Sequence, residues 1–278
     1  MPSSTNVLVH TDKLSLAATL CDSVVKSSKA AMEARRSFTL ALSGGSIPKM
    51  LSLDNMIAAF ARQNIEPSFE NWHVFLADER IVPPTSPDSN MLALQTDGFL
   101  SPPASSNIKP PTSYPIVDST SNTPSEVSTA YEEEVKSVLG SKSAGVFDCV
   151  VCGMGEDGHT CSLFPGHALV TIPSTNHVDF ITDSPKQPPE RITLTFNVLN
   201  SSRGVIFAAA GAGKSDVLKA VFKKVDGSEE GPATASAPQS LVCSKDDSQF
   251  PCAMVSPSGD GASLLWLVDV AAAASISR

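Results

Sequence analysis

The chain has 278 residues, of which 41% are hydrophobic, so it is long enough to bury a substantial core. Its 20 basic and 29 acidic side chains give a net charge of −9, which argues against nucleic-acid binding through a general basic surface. An anionic small molecule would therefore have to be held by a few local Arg and Lys side chains.

The first predicted elements are a strand at residues 6–10 and a helix that continues to about Arg35. The apolar residues of the second segment recur with helical spacing, and Thr11 or Asp12 can cap its first turn. No basic region with a following apolar stretch precedes the strand, and no window approaches the length of a membrane-spanning helix. We therefore expect no signal peptide, no membrane partner and a cytoplasmic location.

A second strand at residues 37–42 leads into a glycine loop and then into a helix expected to continue through Phe60. The loop is Ser43-Gly44-Gly45-Ser46, and Pro48 suits the first helical turn because its missing N–H would have no partner there. Exposed backbone N–H groups and the positive end of the helix dipole converge at this loop, which favours a phosphate or a carboxylate. An ordinary tight turn would use the same residues, so the loop alone leaves both interpretations open.

A third strand at residues 72–76 ends in three charged residues. Asp78, Glu79 and Arg80 would be costly at the end of a buried strand unless they face a cleft. The planar guanidinium of Arg80 suits a phosphate, and Asp78 or Glu79 is expected to orient it. A cluster of surface salt bridges would have the same composition, so this motif also has two interpretations.

Asn90 follows an expected helix cap at Asp88 or Ser89, which makes it a further candidate for contact with a ligand. Residues 101–124 contain six prolines and no apolar period, and they predict a long surface excursion. A helix then leads to an apolar central strand. Because strands and helices alternate, we expect a single α/β domain over residues 1–278, with a doubly wound, mostly parallel, Rossmann-like sheet and helices on both faces.

The central strand is followed by the loop Gly153-Met154-Gly155-Glu156-Asp157-Gly158-His159. His159 stands on glycine-flexed backbone with a carboxylate two residues before it. Asp157 can hold one ring nitrogen while the other faces a substrate, which is what a general base requires. On its own, the tripeptide would more commonly belong to a histidine that caps a short following helix.

The same glycines match the dinucleotide fingerprint, with Asp179 at the position expected for a ribose-binding acid. That fingerprint requires a long helix from its third glycine, whereas Pro165 and Gly166 end any helix within about two turns. It also belongs to the first strand of a domain, and this strand lies past the middle of the chain. We therefore disfavour a dinucleotide cofactor.

Two further patterns imitate sites of known chemistry. The loop Gly211-Ala212-Gly213-Lys214-Ser215 follows a buried strand, but a P-loop needs a glycine where Ala208 stands, so the loop is too short to wrap a triphosphate. Cys149 and Cys152 suggest zinc or redox chemistry, but no second pair of Cys or His residues stands at ligand spacing. Buried thiols in a reducing cytosol are the better interpretation, and we expect no metal and no cofactor.

A proline-rich segment at residues 184–190 is held extended and leads into a strand. Ile192 and Leu194 alternate with threonines there, as in a half-buried strand. Lys186 and Arg191 belong to this region and are candidates for the anionic end of a ligand. As isolated residues they would more commonly be solvated surface charges.

Residues 153–166 resemble the Gly-x-Gly-x-Asp-Gly-His-Thr-x-Ser-Leu-Phe-Pro-Gly signature of the 6-phosphogluconolactonases, within the glucosamine and galactosamine-6-phosphate isomerase superfamily. Other segments resemble this family in the same order along the chain. They are Ser43–Ser46, Asp78–Asn90, Lys186–Thr195 with Gln187 as an extra residue, Gly211–Lys214, and Ala237–Val242, where Ala237 replaces the usual leucine.

The resemblance implies an enzyme that hydrolyses 6-phospho-D-glucono-1,5-lactone to 6-phosphogluconate in the oxidative pentose phosphate pathway. It implies that His159 activates a water molecule as general base and that Asp157 holds the imidazole. It also implies that a set of polar and basic residues binds the substrate, namely Ser43, Gly44, Gly45, Ser46, Arg80, Asn90, Lys186, Arg191 and Lys214. We expect a monomer whose partner is this small molecule, without nucleic acid.

Two alternative functions fit the same scaffold. The related glucosamine-6-phosphate deaminases share the fold and a Gly-His loop, but they carry an acidic residue five positions after the histidine to assist ring opening. Phe164 occupies that position, which disfavours amine chemistry and fits ester hydrolysis. A non-enzymatic sugar-phosphate sensor is the second alternative, and the joint presence of His159, Asp157 and Arg80 argues against it.

Overall fold

The computed structural model describes residues 4–117, 121–230, 233–234, 237–245 and 250–276. Its strands are β1 (Ser4–His10), β2 (Phe38–Leu42), β3 (Trp72–Leu76), β4 (Asp78–Arg80), β5 (Thr112–Ser113), β6 (Cys149–Cys152), β7 (Val178–Ile181), β8 (Arg191–Leu194), β9 (Gly204–Ala209), β10 (Phe222–Glu230), β11 (Gln239–Lys245) and β12 (Ser263–Asp269). Its helices are α1 (Lys13–Arg35), α2 (Ile47–Met50), α3 (Leu53–Arg62), α4 (Asn90–Thr96), α5 (Pro124–Lys142), α6 (Ala168–Thr171), α7 (Phe196–Ser201), α8 (Ser215–Val221) and α9 (Pro251–Met254). Among the described helices, none combines the length and the apolar character needed to cross a membrane.

The main sheet has the strand order β10-β11-β1-β12-β9-β6-β2-β3-β5. From β1 to β5 in that order, neighbouring strands are parallel, which confirms the expected α/β class with a mostly parallel sheet. At the other edge, β11 pairs antiparallel with both β1 and β10. Sequence analysis did not anticipate this antiparallel edge, because residues 224–240 are rich in the Gly, Ser and Pro residues that are typical of loops.

Helix α1 packs against the sheet and has the extent that the sequence predicts. Oδ1 of Asp12 accepts a hydrogen bond from the Ser15 N–H at 2.8 Å and thereby caps the first turn. Arg36 ends the helix in a left-handed conformation, with its N–H donating to the Met32 carbonyl. The buried residues between these ends recur every three or four positions, as in an amphipathic helix, and they are Leu16, Ala17, Leu20, Cys21, Val24, Val25, Ser28 and Ala31.

A second, smaller sheet of antiparallel strands has the order β4-β8-β7 and adjoins the end of β3. The chain runs almost directly from β3 into β4, and the Leu194 N–H donates to the Ala77 carbonyl at 2.8 Å. The expectation of a half-buried strand at Ile192 and Leu194 is wrong, because every residue of β8 is buried. The reason is that β8 is the central strand of the smaller sheet and also packs against α5.

The proline-rich excursion protects one edge of the main sheet. Within it, β5 pairs with β3, and the ring of Tyr114 stacks on that of Phe75 at a centroid distance of 4.2 Å. The Tyr114 hydroxyl also lies 2.7 Å from Nδ1 of His73. Prolines on both sides of so short a strand limit further backbone pairing, so this edge is closed to association with another strand.

The structure corrects one helix prediction and excludes one alternative for the histidine loop. The helix expected to continue through Phe60 is broken into α2 and α3, because Ser52 caps a new first turn by accepting from the Asn55 N–H. After Gly158, residues 159–166 form turns rather than a helix. This stretch therefore contains neither a short helix for the histidine to cap nor the long helix that the dinucleotide fingerprint requires.

Candidate active site

The loops that follow β2 and β6 border a cleft at the C-terminal edge of the main sheet. In the main sheet, β3 lies on one side of β2 and β6 lies on the other side. The connections after β2 and β6 therefore lead away from each other, and open α/β sheets bind ligands at such a switch point. The cleft has a volume of about 670 Å³. The charged and polar side chains of its wall are Lys13, Ser43, Ser46, Asp78, Arg80, Asn90, Glu156, His159, Lys186, Arg191, Lys214 and Asp269.

His159 and Asp157 form a hydrogen-bonded pair on the loop after β6. Nδ1 of His159 lies 2.5 Å from Oδ1 of Asp157, and the imidazole lines the cleft. The Gly155 N–H closes the loop by donating to the His159 carbonyl at 2.8 Å, and Gly158 has a φ of +80°, which favours glycine. A Cβ added to Gly155 would stand 2.0 Å from Nδ1 of His159. The loop glycines therefore provide the space that the pair occupies.

Burial determines the charge of His159. Its side chain is 17% exposed, and the ring of Phe164 packs against the imidazole at a centroid distance of 4.7 Å. Burial lowers the pKa of His159; Asp157 partly offsets this effect, and Lys186 reinforces it. Burial opposes ionisation of Asp157, but the hydrogen bond from His159 and the charge of Lys186 lower its pKa to about 2. At neutral pH a neutral imidazole thus directs its Nδ1 hydrogen at a carboxylate, which leaves Nε2 as the proton acceptor.

Lys186 reaches this pair from the proline-rich segment before β8. Its Nζ lies 3.3 Å from Oδ2 of Asp157 and 3.3 Å from Nδ1 of His159. Because the Nδ1 hydrogen is directed at Asp157, the ammonium pairs with the carboxylate and only approaches the ring. Arg191 holds the segment in place by donating to the backbone carbonyls of residues 186–188. A cation therefore stands beside the base, where negative charge that develops on a substrate can be stabilised.

The glycine loop at residues 43–46 lines the cleft together with Asn90 from the first turn of α4. Nδ2 of the buried Asn90 donates to the Asp78 carbonyl at 2.9 Å, and a Cβ added to Gly44 would stand 1.8 Å from Oδ1 of Asn90. Gly44 is therefore required for the close approach of the loop to this amide. Since α2 after the loop is a single turn, backbone N–H groups rather than a long helix dipole are available to an anion.

Arg80 and Arg191 bring two guanidinium groups to the cleft. They are register partners across β4 and β8, so both side chains leave adjacent strands on the same face. Arg191 is 3% exposed, and burial, followed by the charge of Arg80, lowers its pKa. Nη1 of Arg80 donates to the Asp88 carbonyl at 2.7 Å, whereas its buried Nε has no hydrogen-bond partner among the described residues. Two adjacent cations that line one wall of a cleft suit a phosphate.

The expectation that Asp78 or Glu79 orients the Arg80 guanidinium is not met by a direct contact between these side chains. Strand alternation turns Asp78 and Arg80 toward the cleft and Glu79 away from it. Asp78 accepts a hydrogen bond from the Ser162 hydroxyl at 2.9 Å, and the Glu79 carboxylate accepts from backbone N–H groups at the start of α4. The Arg80 side chain is held instead by the Asp88 carbonyl.

The cleft contains every residue that the sequence predicts to bind a substrate. Asp157 does not line the cleft, and it holds the imidazole of His159 by the hydrogen bond described above. Lys214 enters from the turn after β9, where burial lowers its pKa and the nearby Glu156 carboxylate raises it. The proximity of these residues is a finding, whereas the role of each stays a prediction.

Three charged residues of the cleft wall were not predicted from the sequence, namely Lys13, Glu156 and Asp269. Lys13 and Asp269 stand at or just after the C-terminal ends of β1 and β12, so the shared edge of parallel strands is the signal that locates them. Both oxygens of Asp269 accept from the Gly211 N–H, at 3.0 and 3.1 Å, which fixes the start of the turn that carries Lys214.

Among the described residues, no group of three or more His, Cys, Asp or Glu side chains is arranged to hold a metal ion. Cys149 and Cys152 are buried thiols, and burial raises the pKa of Cys149 to about 12, so its thiol stays protonated at neutral pH. The loop that imitates a P-loop is a short 3-10 turn at Ala212–Lys214 followed by the seven-residue helix α8.

Comparisons with known proteins agree on one family. The family described as "Glucosamine-6-phosphate isomerases/6-phosphogluconolactonase" matches residues 11–266. The 6-phosphogluconolactonase of Rattus norvegicus is 34% identical to this chain over 274 residues, which cover 98% of this chain and 93% of the rat protein.

Solved structures share the fold. The 6-phosphogluconolactonase of Trypanosoma brucei superposes with a TM-score of 0.65 at 26% identity, and the match covers 100% of both chains. The enzyme of the same name from Trypanosoma cruzi superposes with a TM-score of 0.71 at 22% identity, covering 100% of this chain and 99% of the other. The architecture of two sheets with a cleft at the switch point is thus placed within a known fold.

Proposed function

Because this chain belongs to the family of glucosamine-6-phosphate isomerases and 6-phosphogluconolactonases, we propose that it hydrolyses 6-phospho-D-glucono-1,5-lactone to 6-phosphogluconate. The observation that carries the proposal is one cleft in which an imidazole paired with a carboxylate faces the same space as two adjacent guanidinium groups. A phosphorylated cyclic ester needs both features, a base for water and cations for the phosphate.

The first step of the proposed mechanism is the attack of water on the lactone carbonyl. Nε2 of His159 removes a proton from the water as it adds to the carbonyl carbon, so that negative charge develops on the carbonyl oxygen. Asp157 holds the ring through Nδ1 and stabilises the imidazolium that forms. The ammonium of Lys186, 3.3 Å from Oδ2 of Asp157, lies beside the pair and is our candidate for stabilising the oxyanion.

In the second step the tetrahedral intermediate collapses and the bond between the carbonyl carbon and the ring oxygen breaks. His159 returns its proton to the departing ring oxygen, which becomes a hydroxyl group, and the carbonyl carbon becomes the carboxyl group of 6-phosphogluconate. General acid and base catalysis of this kind contributes about 10²-fold to 10⁴-fold, and the fixed position of the lactone adds to it.

We assign the phosphate group to the wall of the same cleft that carries the paired arginines. Arg80 and Arg191 offer the paired guanidinium groups, and Lys214 adds a third cation from the turn after β9. The backbone N–H groups of residues 44–46, the Ser43 side chain and the Asn90 amide add uncharged contacts for the phosphate or the sugar hydroxyls. Binding at this end orients the lactone carbonyl toward His159, so that affinity and turnover depend on different residues.

Phe164 separates the lactonase from the isomerase and deaminase activities of the family. It occupies the position five residues after the histidine. The related deaminases carry an acidic residue at that position. Its side chain is 2% exposed and packs against the imidazole of His159. A buried phenyl ring cannot transfer a proton during the opening of an amino-sugar ring, whereas it can keep bulk water away from the base.

The test is a hydrolysis assay with the purified protein. Release of acid from freshly prepared 6-phosphogluconolactone is compared with the spontaneous rate, and ammonia release from glucosamine 6-phosphate is measured in parallel. We expect acceleration of lactone hydrolysis and no ammonia. Decay of the lactone at its spontaneous rate, together with binding of 6-phosphogluconate, would support a sugar-phosphate sensor instead.

A further inference from the structure

Glu79 lies in the middle of β4, where its side chain is 2% exposed and points away from the cleft. Oε1 accepts hydrogen bonds from the N–H groups of Arg80 and Asn90, at 2.7 and 2.8 Å. Oε2 accepts from the Ser89 hydroxyl at 3.1 Å and from the Met91 N–H at 2.9 Å. Each oxygen of this buried carboxylate therefore has two donors, which fills its capacity as an acceptor.

Two of the four donor residues, Arg80 and Asn90, line the cleft, and the other two flank Asn90 in the chain. The carboxylate ties β4 to residues 89–91 at the start of α4, although a loop separates the two elements in the chain. The Asp88 carbonyl, next to that segment, accepts from Nη1 of Arg80 at 2.7 Å, and the Asn90 amide donates to the Asp78 carbonyl at 2.9 Å. Glu79 thus fixes Asn90 directly and the Arg80 guanidinium through Asp88.

Burying a carboxylate between two elements costs free energy, because the carboxylate loses its hydration. Burial raises the pKa of Glu79, and the hydrogen bonds from the Met91, Asn90 and Arg80 N–H groups work in the opposite direction. An apolar side chain of similar size would avoid the loss of hydration but could not accept four hydrogen bonds of defined direction. The carboxylate therefore fits a requirement for geometry rather than for stability alone.

We infer that Glu79 is a positioning residue for the anion-binding wall of the cleft, which holds Arg80 and Asn90 in place and takes no part in proton transfer. The identity of the anion rests on the proposed function, whereas the geometric role does not. Glu79→Gln tests the inference because glutamine has the same shape. In either amide orientation its NH₂ group would face at least one backbone N–H donor, so we expect residues 88–91 to shift.

Asp148 provides a matched control at the opposite end of the sheet, directly before β6. It is equally buried, and its two oxygens also accept four hydrogen bonds, from the Thr39 N–H and hydroxyl and from Arg35 and Arg203. Asp148→Asn therefore also removes a buried carboxylate charge and leaves an NH₂ group facing donors, and it additionally breaks the ion pairs with Arg35 and Arg203. It should lower stability without reaching the cleft, because β6 carries its catalytic loop at the other end.

The experiment measures lactone hydrolysis, 6-phosphogluconate affinity and the melting temperature for the parent protein, Glu79→Gln and Asp148→Asn. We expect Glu79→Gln to raise KM and the Kd of 6-phosphogluconate about tenfold while kcat stays within about twofold, since the base lies on another loop. Asp148→Asn should lower the melting temperature but leave KM and Kd unchanged. Equal KM and Kd in Glu79→Gln and the parent would overturn the inference.

A second measurement keeps the inference open to refutation if the parent protein does not hydrolyse the lactone. In an NMR spectrum, the side-chain amide signals of Asn90 are assigned as those lost in Asn90→Ala. We expect them to shift in Glu79→Gln and, to a smaller extent, in Ser89→Ala, which removes one of the four donors. Unmoved Asn90 signals in both variants would overturn the positioning role, and Ser89→Ala serves alone if Glu79→Gln does not fold.

Discussion

Arg80 and Arg191 stand directly opposite each other in the pairing of β4 with β8, and both side chains enter the cleft. Like charges opposite each other on a strand pair are unfavourable by roughly 0.2–1 kcal/mol. Burial and the neighbouring guanidinium both lower the pKa of Arg191, which expresses the same conflict. A bound phosphate would relieve it, which is consistent with the proposed role of the pair in holding an anion.

The first prediction concerns this pair. Arg80→Ala should weaken the binding of 6-phosphogluconate by about 10-fold to 100-fold, because hydrogen bonds to charged groups contribute about 1.5–3 kcal/mol. Calorimetric titration measures the change. Arg62→Ala is the control, since Arg62 pairs with Asp22 on the exposed side of α3 and should leave affinity unchanged. If Arg80→Ala binds as tightly as the parent, the phosphate lies elsewhere.

The second prediction concerns the base. His159→Ala should lower kcat by about 10²-fold to 10⁴-fold while the Kd of 6-phosphogluconate changes little, because proton transfer is lost and the cationic wall is kept. His167 forms another histidine and aspartate pair, with Asp183 at 3.1 Å, and does not line the cleft. His167→Asn should therefore retain the parent kcat. Full activity of His159→Ala would remove the imidazole from the mechanism.

The third prediction concerns pH. His159 accepts a proton only when it is neutral, so kcat/KM falls as the pH drops through its pKa. Lys186 lowers this pKa and Asp157 raises it. Lys186→Met should therefore move the acid limb of the profile to higher pH, and Asp157→Asn should move it to lower pH, over about pH 5–8. The midpoint of the acid limb is measured from profiles of kcat/KM against pH, each normalised to its plateau. If both variants shift this midpoint in the same direction, the acid limb does not report the pKa of His159.

The fourth prediction concerns the space beside the base. Gly155→Ala places a Cβ 2.0 Å from Nδ1 of His159 and 2.3 Å from Oδ1 of Asp157, so the pair has to separate. A displacement of this size should lower kcat by about 10²-fold. Gly140→Ala is the control, because its Cβ meets no atom within 4 Å in helix α5 and should stabilise that helix by up to about 1 kcal/mol. Unchanged kcat in Gly155→Ala would show that the loop tolerates rearrangement.

Features carried by neighbouring residues could be predicted from the sequence. The limits of α1 follow from Asp12 at one end and the loss of apolar spacing at the other. The pair of Asp157 and His159 was recognisable because its members are two residues apart on a glycine loop. Resemblance to a known family supplied the roles that single residues such as Arg191 could not indicate.

Features that depend on pairing between distant segments could not be predicted. The sequence does not show that Arg80 stands opposite Arg191. The register of β4 and β8 is set by the smaller sheet, and no local sequence pattern predicts that sheet. The burial of β8 and the contacts of Glu79 could not be predicted for the same reason, since each depends on neighbours from other parts of the chain. Strand β10 was missed because pairing with β11 overrides its loop-like composition.

The two sheets meet through Ser162, whose hydroxyl donates to Asp78 of β4 and whose N–H donates to Thr193 of β8. The imidazole of His159 is therefore carried by the loop after β6 of the main sheet, and the paired arginines are carried by the smaller sheet. Substitutions in β4 and β8 would therefore reach the His159 loop through Ser162, and those at Arg191 would also reach it through Lys186. An engineer who changes the arginine pair would therefore keep Asp78 and Thr193, which anchor the loop that carries His159.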